Sequence, residues 1–282
     1  MSPIDLSQAK QVGAVLSRHG VWLSREMGQH LLVDADVLRR IVEAAALGPK
    51  TEVLEVGPGV GALTAELSRL AGRVVAVELD HRMLAVLRET VPAPNVEVVN
   101  ADALEVNLPH LFAGRPYSVV ANLPYGVATP LLRRLLSGPP EDVPVELVVM
   151  VQREVARRLA ARPGDMSRLA VEIQLVADVE LLFEVGPQSF FPPPEVSSAV
   201  LRLVPLRGFR VPPLPNEERF FQTVEAGFRQ RRKQLHNALG ELGVGTPRIA
   251  TALAATGIDT RRRAETLTVE EWSRLSAAIW QG

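Results

Sequence analysis

The sequence predicts an α/β protein: a largely parallel sheet with helices on both faces, followed by a small all-α domain. Five short apolar segments between residues 51 and 151 resemble strands, helical patterns fit between them, and only helical patterns follow residue 216. Apolar strands that alternate with helices are typical of a parallel sheet buried on both faces. The chain has 282 residues, 47% of them hydrophobic, which is enough for a large domain and a smaller one.

The first 50 residues are predicted to be helical. Leu6, Val12, Val15 and Leu16 have roughly helical spacing, and a loop follows at residues 24–30. Asp34 is suited to cap a second helix over residues 35–46, because its carboxylate can accept hydrogen bonds from the first free backbone N–H groups.

From residue 51 the pattern changes to strands that alternate with helices. The predicted strands are residues 51–56, 73–79, 96–100, 117–122 and 145–151, with helices at about 61–70, 81–90, 128–136 and 152–161. Two further strands, residues 175–185 and 198–206, are expected to add an antiparallel edge.

A segment rich in proline and glycine, residues 205–218, is predicted to be a linker. It divides the chain into a catalytic domain, residues 1–205, and a helical domain, residues 206–282. The second domain has 12 basic and 8 acidic residues, a net charge of +4, whereas the first has 19 and 24, a net charge of −5. This asymmetry is compatible with a polyanionic partner or with ordinary surface variation.

Composition excludes several classes of protein. The chain has no cysteine, so disulfides, thiolate zinc sites and cysteine nucleophiles are excluded, and no metal site is predicted. The N-terminus lacks the pattern of a signal peptide, and no apolar stretch reaches the roughly 18 residues that a membrane span requires. We therefore expect a soluble, cytoplasmic protein without a membrane partner.

A glycine-rich turn follows the first strand of the sheet. Gly57, Gly59 and Gly61 alternate and open a helix, so a ligand can approach the backbone and the free N–H groups of the helix N-terminus. Glu78 ends the next strand, where an acid can bind both ribose hydroxyls of an adenosine, and Asp102 follows the strand after that. Ligands bind such sheets at the carboxyl ends of the strands.

The spacing of these glycines bears on the choice of cofactor. Nicotinamide dehydrogenases share the fold but usually carry G-x-G-x-x-G, whereas this chain has G-x-G-x-G, with Glu55 two residues before the first glycine. This spacing resembles the first motif of class I methyltransferases, which have a Rossmann-like sheet and use S-adenosylmethionine.

The fourth strand ends in the tetrapeptide Asn122, Leu123, Pro124 and Tyr125. It resembles the [D/N]-P-P-[Y/F] signature of methyltransferases that act on exocyclic amines of bases. The lone pair of adenine's amine is delocalised into the ring. An asparagine oxygen and the backbone carbonyl before the proline can accept its two N–H bonds, which directs the lone pair at the methyl group. Tyr125 can stack on the base, a contact worth about 1–3 kcal/mol.

A second aromatic pair lies in 189-SFFPPPEV. The proline run is stiff and can hold Phe190 or Phe191 in place. Either ring could form the other wall of a slot for a flipped base, or both could simply be buried beneath a rigid loop.

Taken together, these motifs closely resemble the ribosomal RNA adenine dimethyltransferase family over nearly the whole chain. The C-terminal segments FRQRRKQLHNAL and RRRAETLTVEEWSRL are similar to its bacterial small-subunit branch. That branch dimethylates the N6 amines of two adjacent adenines in a hairpin loop near the 3′ end of 16S rRNA, during small-subunit maturation. The resemblance therefore implies the immature small ribosomal subunit as partner, and we expect a monomer.

The resemblance also implies the site residues. Tyr125 and Phe190 would hold the target base, and His30 stands where the family usually has asparagine in GQNFL. Expected cofactor contacts are Gln29, His30, Leu32, Gly57, Gly59, Glu78, Asp102 and Asn122. Expected RNA contacts are Arg229, Arg231, Arg232, Lys233, Arg261, Arg262 and Arg263.

Two further hypotheses remain open. The antibiotic-resistance branch methylates adenine in large-subunit rRNA with nearly the same core, although the C-terminal segments favour the small subunit. A non-catalytic ribosome-assembly factor could keep this fold, but an intact NLPY tetrapeptide and cofactor loop argue against loss of catalysis.

Overall fold

The computed structural model describes residues 4–23, 29–212, 214, 216–230 and 232–281. The chain folds into two compact units: residues 1–156 with 180–205, and residues 157–179 with 206–282. Within the described ranges, no helix is both long and apolar enough to cross a membrane.

Strands and helices alternate along most of the chain up to Pro205. The strands are β1 (Leu31–Leu32), β2 (Glu52–Val56), β3 (Arg73–Glu78), β4 (Val96–Asn100), β5 (Tyr117–Asn122), β6 (Glu146–Gln152), β7 (Ala177–Val185), β8 (Phe190–Phe191) and β9 (Ser198–Pro205). The helices up to β7 are α1 (Ala9–Arg18), α2 (Ala35–Ala44), α3 (Ala62–Leu70), α4 (Met83–Thr90), α5 (Ala128–Leu135), α6 (Arg153–Leu159) and α7 (Arg168–Val176).

Seven of the described strands form one sheet, in the order β4-β3-β2-β5-β6-β9-β7. The pairs from β4 to β6 are parallel, and β9 runs antiparallel to β6. The central strands are buried on both faces; Val53, Leu54, Val119 and Val148 have no exposed surface. The predicted parallel sheet is therefore confirmed, and the two further strands extend it on one side, with β9 antiparallel to β6 and β7 at the edge.

The predicted strand at residues 175–185 is wrong at its start. Residues up to Val176 belong to α7, which Ser167 caps by accepting a hydrogen bond from the backbone N–H of Ala170 at 3.1 Å. Because α7 is apolar nearly all round, its periodicity does not distinguish a buried helix from a buried strand.

The N-terminal helices confirm the pattern of the first 50 residues. Val12, Val15 and Leu16 are the buried residues of α1. Asp34 caps α2, and its carboxylate accepts from the backbone N–H groups of Asp36 and Val37.

A small second sheet was not predicted. β1 pairs with β8, with Leu31 opposite Phe191 and Leu32 opposite Phe190. The pairing brings the loop that follows β8 against the segment that begins at Gln29, although some 160 residues separate them in the sequence.

The second unit contains α7 and four described helices after residue 205: α8 (Glu217–Arg229), α9 (Leu235–Ala238), α10 (Thr246–Ala255) and α11 (Val269–Trp280). Phe220 and Trp272 are fully buried in its core. A Cβ atom on Gly227 would collide with the ring of Trp272, so α8 and α11 approach closely at this glycine.

These compact units do not correspond to a single division at residue 205. Residues 157–179 pack with the C-terminal helices, because Met166, Val171 and Leu175 share one apolar core with Phe220 and Trp272. A boundary inferred from a proline-rich segment cannot reveal such a return of the chain.

Only helical patterns are predicted after residue 216, but the helices are interrupted at the basic segment, residues 229–233. α8 ends at Arg229 and α9 begins at Leu235, so Arg232 and Lys233 lie in a turn between two helices. Arg231 lies outside the described residues.

Candidate active site

The site lies where the chain order reverses within the sheet. β2 pairs with β3 on one side and with β5 on the other. Loops that leave the carboxyl ends of β2 and β5 therefore face each other across a crevice, the usual ligand position in such sheets. The glycine loop, residues 57–61, follows β2, and the tetrapeptide, residues 122–125, begins at the last residue of β5.

The glycine loop requires glycine for two reasons. Gly57, Gly59 and Gly61 have φ angles of +71°, +56° and +84°, which L side chains rarely adopt. A Cβ atom on Gly59 would also lie 2.6 Å from Cδ2 of Leu31. The loop is thus closely packed against β1, and α3 begins directly after it at Ala62.

Glu78 lies at the end of β3, with 8% of its surface exposed. Its carboxylate accepts hydrogen bonds from the backbone N–H groups of Gly59 at 3.3 Å and Asp80 at 2.8 Å. Burial raises the pKa of Glu78, and these two N–H groups act in the opposite direction. The acid is therefore held in a defined orientation against the glycine loop, where it can accept ribose hydroxyls.

Glu55 is a functional candidate that we noted in the sequence only for its spacing before the glycine loop, without assigning it to the site. It lies on β2, is 2% exposed, and its Oε2 has no hydrogen-bond partner in the described structure. Burial raises the pKa of Glu55 to about 8; the nearby hydroxyl of Thr64 acts in the opposite direction, and the charge of Glu78 adds a smaller increase. The signal that could have identified it is an acidic residue inside an otherwise apolar strand.

The tetrapeptide holds an acceptor that lacks a donor. Asn122 donates from Nδ2 to the backbone oxygen of His30 at 3.4 Å, which orients the amide. Its Oδ1 is buried and has no partner among the described residues. The backbone N–H of Leu123 donates to Met150, and the carbonyl of Pro124 accepts from Val127. The loop is thereby fixed, and Oδ1 is available to a ligand N–H.

Tyr125 is held at its hydroxyl end. Its phenol oxygen lies 2.9 Å from Oγ of Ser198, a residue with no exposed surface at the start of β9. Burial raises the pKa of Tyr125, and the hydrogen bond to Ser198 acts in the opposite direction. Anchoring at both the backbone and the hydroxyl leaves the ring with little freedom.

One cavity of about 370 Å³ joins the glycine loop to the tetrapeptide. It brings together most of the predicted site: Gln29, His30, Leu32, Gly57, Gly59, Glu78, Asn122, Leu123, Pro124 and Tyr125. Asp102 is not among its lining residues; its carboxylate instead accepts from the backbone N–H of Leu104 at 2.8 Å. Lining residues that the sequence did not predict include Glu55, Leu79, Asp80, His81, Arg82 and Met83.

Phe190 was expected to form one wall of a slot for the target base, but the structure places it in the core. It is 3% exposed and belongs to the apolar core of the first unit, while Phe191 is partly buried near Gly13. Neither ring lines the cavity, so the role of Phe190 in holding the base stays a prediction.

The residues of this cavity fit S-adenosylmethionine. The glycine loop leaves room where side chains would collide, and a buried acid stands ready for ribose hydroxyls. Buried polar atoms without partners are rare, and both Oδ1 of Asn122 and Oε2 of Glu55 belong to residues that line this cavity. A polar ligand that supplies donors would satisfy them.

The basic residues predicted to contact RNA differ in whether they form ion pairs with acidic side chains. Arg229 pairs with Glu225 and Glu241, and Arg261 pairs with Asp259 at 2.8 Å. Arg262 is partly buried and bonds both oxygens of Glu271, at 2.6 and 2.9 Å. Arg232, Lys233 and Arg263 are exposed, without an ion pair to any described residue.

Comparison with known proteins identifies the relatives of this chain. Residues 23–281 match the model of the family described as ribosomal RNA adenine dimethylase. A protein of Moorella thermoacetica named ribosomal RNA small subunit methyltransferase A is 43% identical, over 94% of this chain and 96% of its own. A Geobacillus thermodenitrificans protein of the same name is 41% identical, over 98% and 97%.

Solved structures show the same relationship. The 23S rRNA methyltransferase ErmE superposes with a TM-score of 0.70 at 31% identity, covering 89% of this chain and 99% of its own. A dimethyladenosine transferase from Plasmodium falciparum gives a TM-score of 0.69 at 25% identity, over 86% and 94%.

Proposed function

This chain belongs to the ribosomal RNA adenine dimethylase family, and we propose that its substrate is a pair of adjacent adenines in a hairpin loop near the 3′ end of 16S rRNA. The chain is an S-adenosylmethionine-dependent methyltransferase that dimethylates adenine in ribosomal RNA. Relatives named for the small subunit, at 40–43% identity over nearly the full length, support the finer assignment.

The observation that carries the proposal is the buried, unpartnered Oδ1 of Asn122. An acceptor in this position is suited to a substrate that presents an N–H group. The exocyclic amine of adenine presents two, and a hydroxyl or carbon nucleophile would leave the geometry of the tetrapeptide unexplained.

In the mechanism we infer, Asn122 and the backbone carbonyl of Leu123 accept the two N–H bonds of the N6 amine. These bonds favour a more tetrahedral nitrogen and direct its lone pair away from the ring. Tyr125, anchored on Ser198, stacks on the base and holds its plane. S-adenosylmethionine, when bound, supplies the electrophilic methyl group. Because the amine can attack before losing its proton, no strong general base is needed.

We assign cofactor binding to the residues around the glycine loop. Glu78 would accept the ribose hydroxyls, and the N-terminus of α3, whose residues Ala62 and Leu63 line the cavity, would face the ligand. The other proposed contacts are Gln29, His30, Leu32, Gly59, Asp102 and Asn122; Asp102 is the least supported, since it does not line the cavity.

We further propose that the protein acts as a monomer in the cytoplasm on the immature small ribosomal subunit. In this proposal catalysis belongs to residues 1–205 and RNA binding to residues 206–282, with residues 157–179 packed against the RNA-binding helices. The net charge of +4 in the second segment and its exposed cations, Arg232, Lys233 and Arg263, support binding to a phosphate backbone.

The test is methyl transfer from labelled S-adenosylmethionine to unmethylated small and large ribosomal subunits, followed by nucleoside analysis. We expect N6,N6-dimethyladenosine in the small subunit alone. Label confined to the large subunit would instead show the 23S rRNA methyltransferase activity for which ErmE is named. Cofactor binding without any transfer would indicate an assembly factor that has lost the chemistry.

A further inference from the structure

His30 makes three contacts that converge on the catalytic end of the cavity. Its Nδ1 lies 2.8 Å from the carbonyl oxygen of Pro192. Since a carbonyl oxygen can only accept, Nδ1 carries the proton and donates it. Its backbone oxygen accepts from Asn122, and its ring stacks on Tyr125 with centroids 5.7 Å apart and planes 30° apart.

The stacked ring of His30 is too close to Tyr125 to be the opposite wall of a base slot. A base between two parallel rings needs about 7 Å, two layers at roughly 3.5 Å each. At a centroid distance of 5.7 Å no base fits between the two rings, and the ring of His30 packs on that of Tyr125.

The hydrogen bond to Pro192 links this ring contact to the chain segment that carries Phe190 and Phe191. Pro192 begins the proline loop, residues 192–194, which directly follows β8. β8 is itself paired with β1, the strand that begins one residue after His30. His30, which directly precedes β1, therefore contacts both the tetrapeptide and the proline loop.

We propose that His30 is a positioning residue for base binding: its ring braces Tyr125 and its Nδ1–H fixes the proline loop. It does not act as a cofactor ligand through Nδ1, because that atom is already bonded to Pro192. This inference rests on the proposed function, since Tyr125 is the residue expected to hold the adenine.

Three substitutions of His30 separate the contribution of its ring from that of its hydrogen bond to Pro192. Nδ1 of histidine and Nδ2 of asparagine are both attached to Cγ, so His30→Asn keeps a donor near Pro192 and removes the ring. His30→Phe keeps a ring and removes the donor. Neither change alters the backbone oxygen that accepts from Asn122, and His30→Ala removes both side-chain contacts.

The first measurement is fluorine NMR of protein labelled with 3-fluorotyrosine. The chain has two tyrosines, so Tyr125→Phe assigns both resonances. Tyr117, stacked on Phe112 at 4.2 Å, serves as an internal control for folding. We expect His30→Asn to move the Tyr125 resonance and leave that of Tyr117 in place. An unmoved Tyr125 resonance would overturn the inference.

The second measurement separates base positioning from cofactor binding. Loss of the ring or of the hydrogen bond should each lower kcat by about three- to tenfold. His30→Ala should lower it by about the product of the two. The Kd of S-adenosylmethionine, measured by calorimetry, should weaken by a smaller factor than kcat falls, because Nδ1 is engaged by Pro192. A Kd that weakens by a larger factor than kcat falls, or an unchanged kcat in all three variants, would overturn the inference.

These readouts distinguish the two levels of the proposal. Suppose that the wild type leaves rRNA unmethylated and His30→Asn still moves the Tyr125 resonance. This result would reject the proposed function and support the positioning of Tyr125 by His30. If the wild type methylates rRNA and the Tyr125 resonance does not move in His30→Asn, only the positioning role of His30 would be rejected.

Discussion

At the scale of single residues, the site is marked by polar atoms that the protein does not satisfy. Four buried side-chain atoms lack partners among the described residues, and two of them, Oδ1 of Asn122 and Oε2 of Glu55, belong to residues that line one cavity. Each such atom costs about 1–3 kcal/mol when no ligand is present. Their concentration beside the glycine loop points to ligand binding as the compensation.

Asn122→Ala tests the acceptor directly. We expect kcat to fall by about 100-fold or more, the usual cost of removing one preorganised polar group from a reacting centre. The fold should survive, because the side chain makes one long hydrogen bond, to His30 at 3.4 Å. The measurement is single-turnover methylation of small subunits, with thermal unfolding as the control. Turnover at the wild-type rate would contradict the assigned role.

At the scale of elements, short loops at strand ends position the chemistry. The glycine loop and the tetrapeptide are brought together because β2 and β5 are neighbours in the sheet. The position of the loop depends on close packing against β1, where no side chain fits at Gly59.

Gly59→Ala should disturb this packing. The new Cβ would meet Leu31, so we expect the Kd of S-adenosylmethionine to weaken at least tenfold. Gly114→Ala is the matched control: its φ of +75° also disfavours alanine, by about 1–2 kcal/mol, but its Cβ would meet nothing within 4 Å. Equal effects of both variants on the Kd would show that backbone strain, and not the approach to Leu31, is responsible.

The basic turn between α8 and α9 should contribute to RNA affinity. Replacing Arg232 and Lys233 together by alanine should weaken rRNA binding and reduce the slope of log K against log salt by up to about 2, since two phosphate contacts would be lost. Arg262→Ala should instead lower the melting temperature, because Arg262 bonds Glu271 at the N-terminal cap of α11. An unchanged salt slope in the double variant would contradict phosphate contact by this turn.

At the scale of the whole molecule, the buried acid of β2 makes stability depend on pH. Glu55 has an ordinary pKa of 4.5 when the chain is unfolded and about 8 in the folded protein. Between these values the unfolded chain binds fewer protons, so the carboxyl reduces stability as pH rises through this window, and the loss is complete above about pH 8.

Glu55→Gln should remove this dependence while keeping the shape of the side chain. We expect the variant to become more stable than the wild type as pH rises from 5 to 8, by at most about 1.4 kcal/mol per pH unit. Denaturant unfolding across that range measures the difference, and all other titrating groups are shared by both proteins. Parallel stability curves would show that Glu55 is ionised in the folded state.

Local patterns predicted much of this protein. Apolar runs located the strands, Asp34 located the cap of α2, and the spacing of Gly57 to Gly61 with the tetrapeptide predicted the cofactor and the chemistry. These signals succeed because turn geometry, capping and motif spacing depend on a few adjacent residues.

Other features depended on contacts that no local pattern encodes. The pairing of β1 with β8, the bond from His30 to Pro192 and the grouping of residues 157–179 with the C-terminal helices all join distant segments. The burial that raises the pKa of Glu55 likewise exists only once the sheet is covered. Local residue patterns are therefore sufficient to predict most elements and the reaction class. They do not predict which side chains meet or which polar atoms stay unsatisfied, because both depend on packing over long sequence separations.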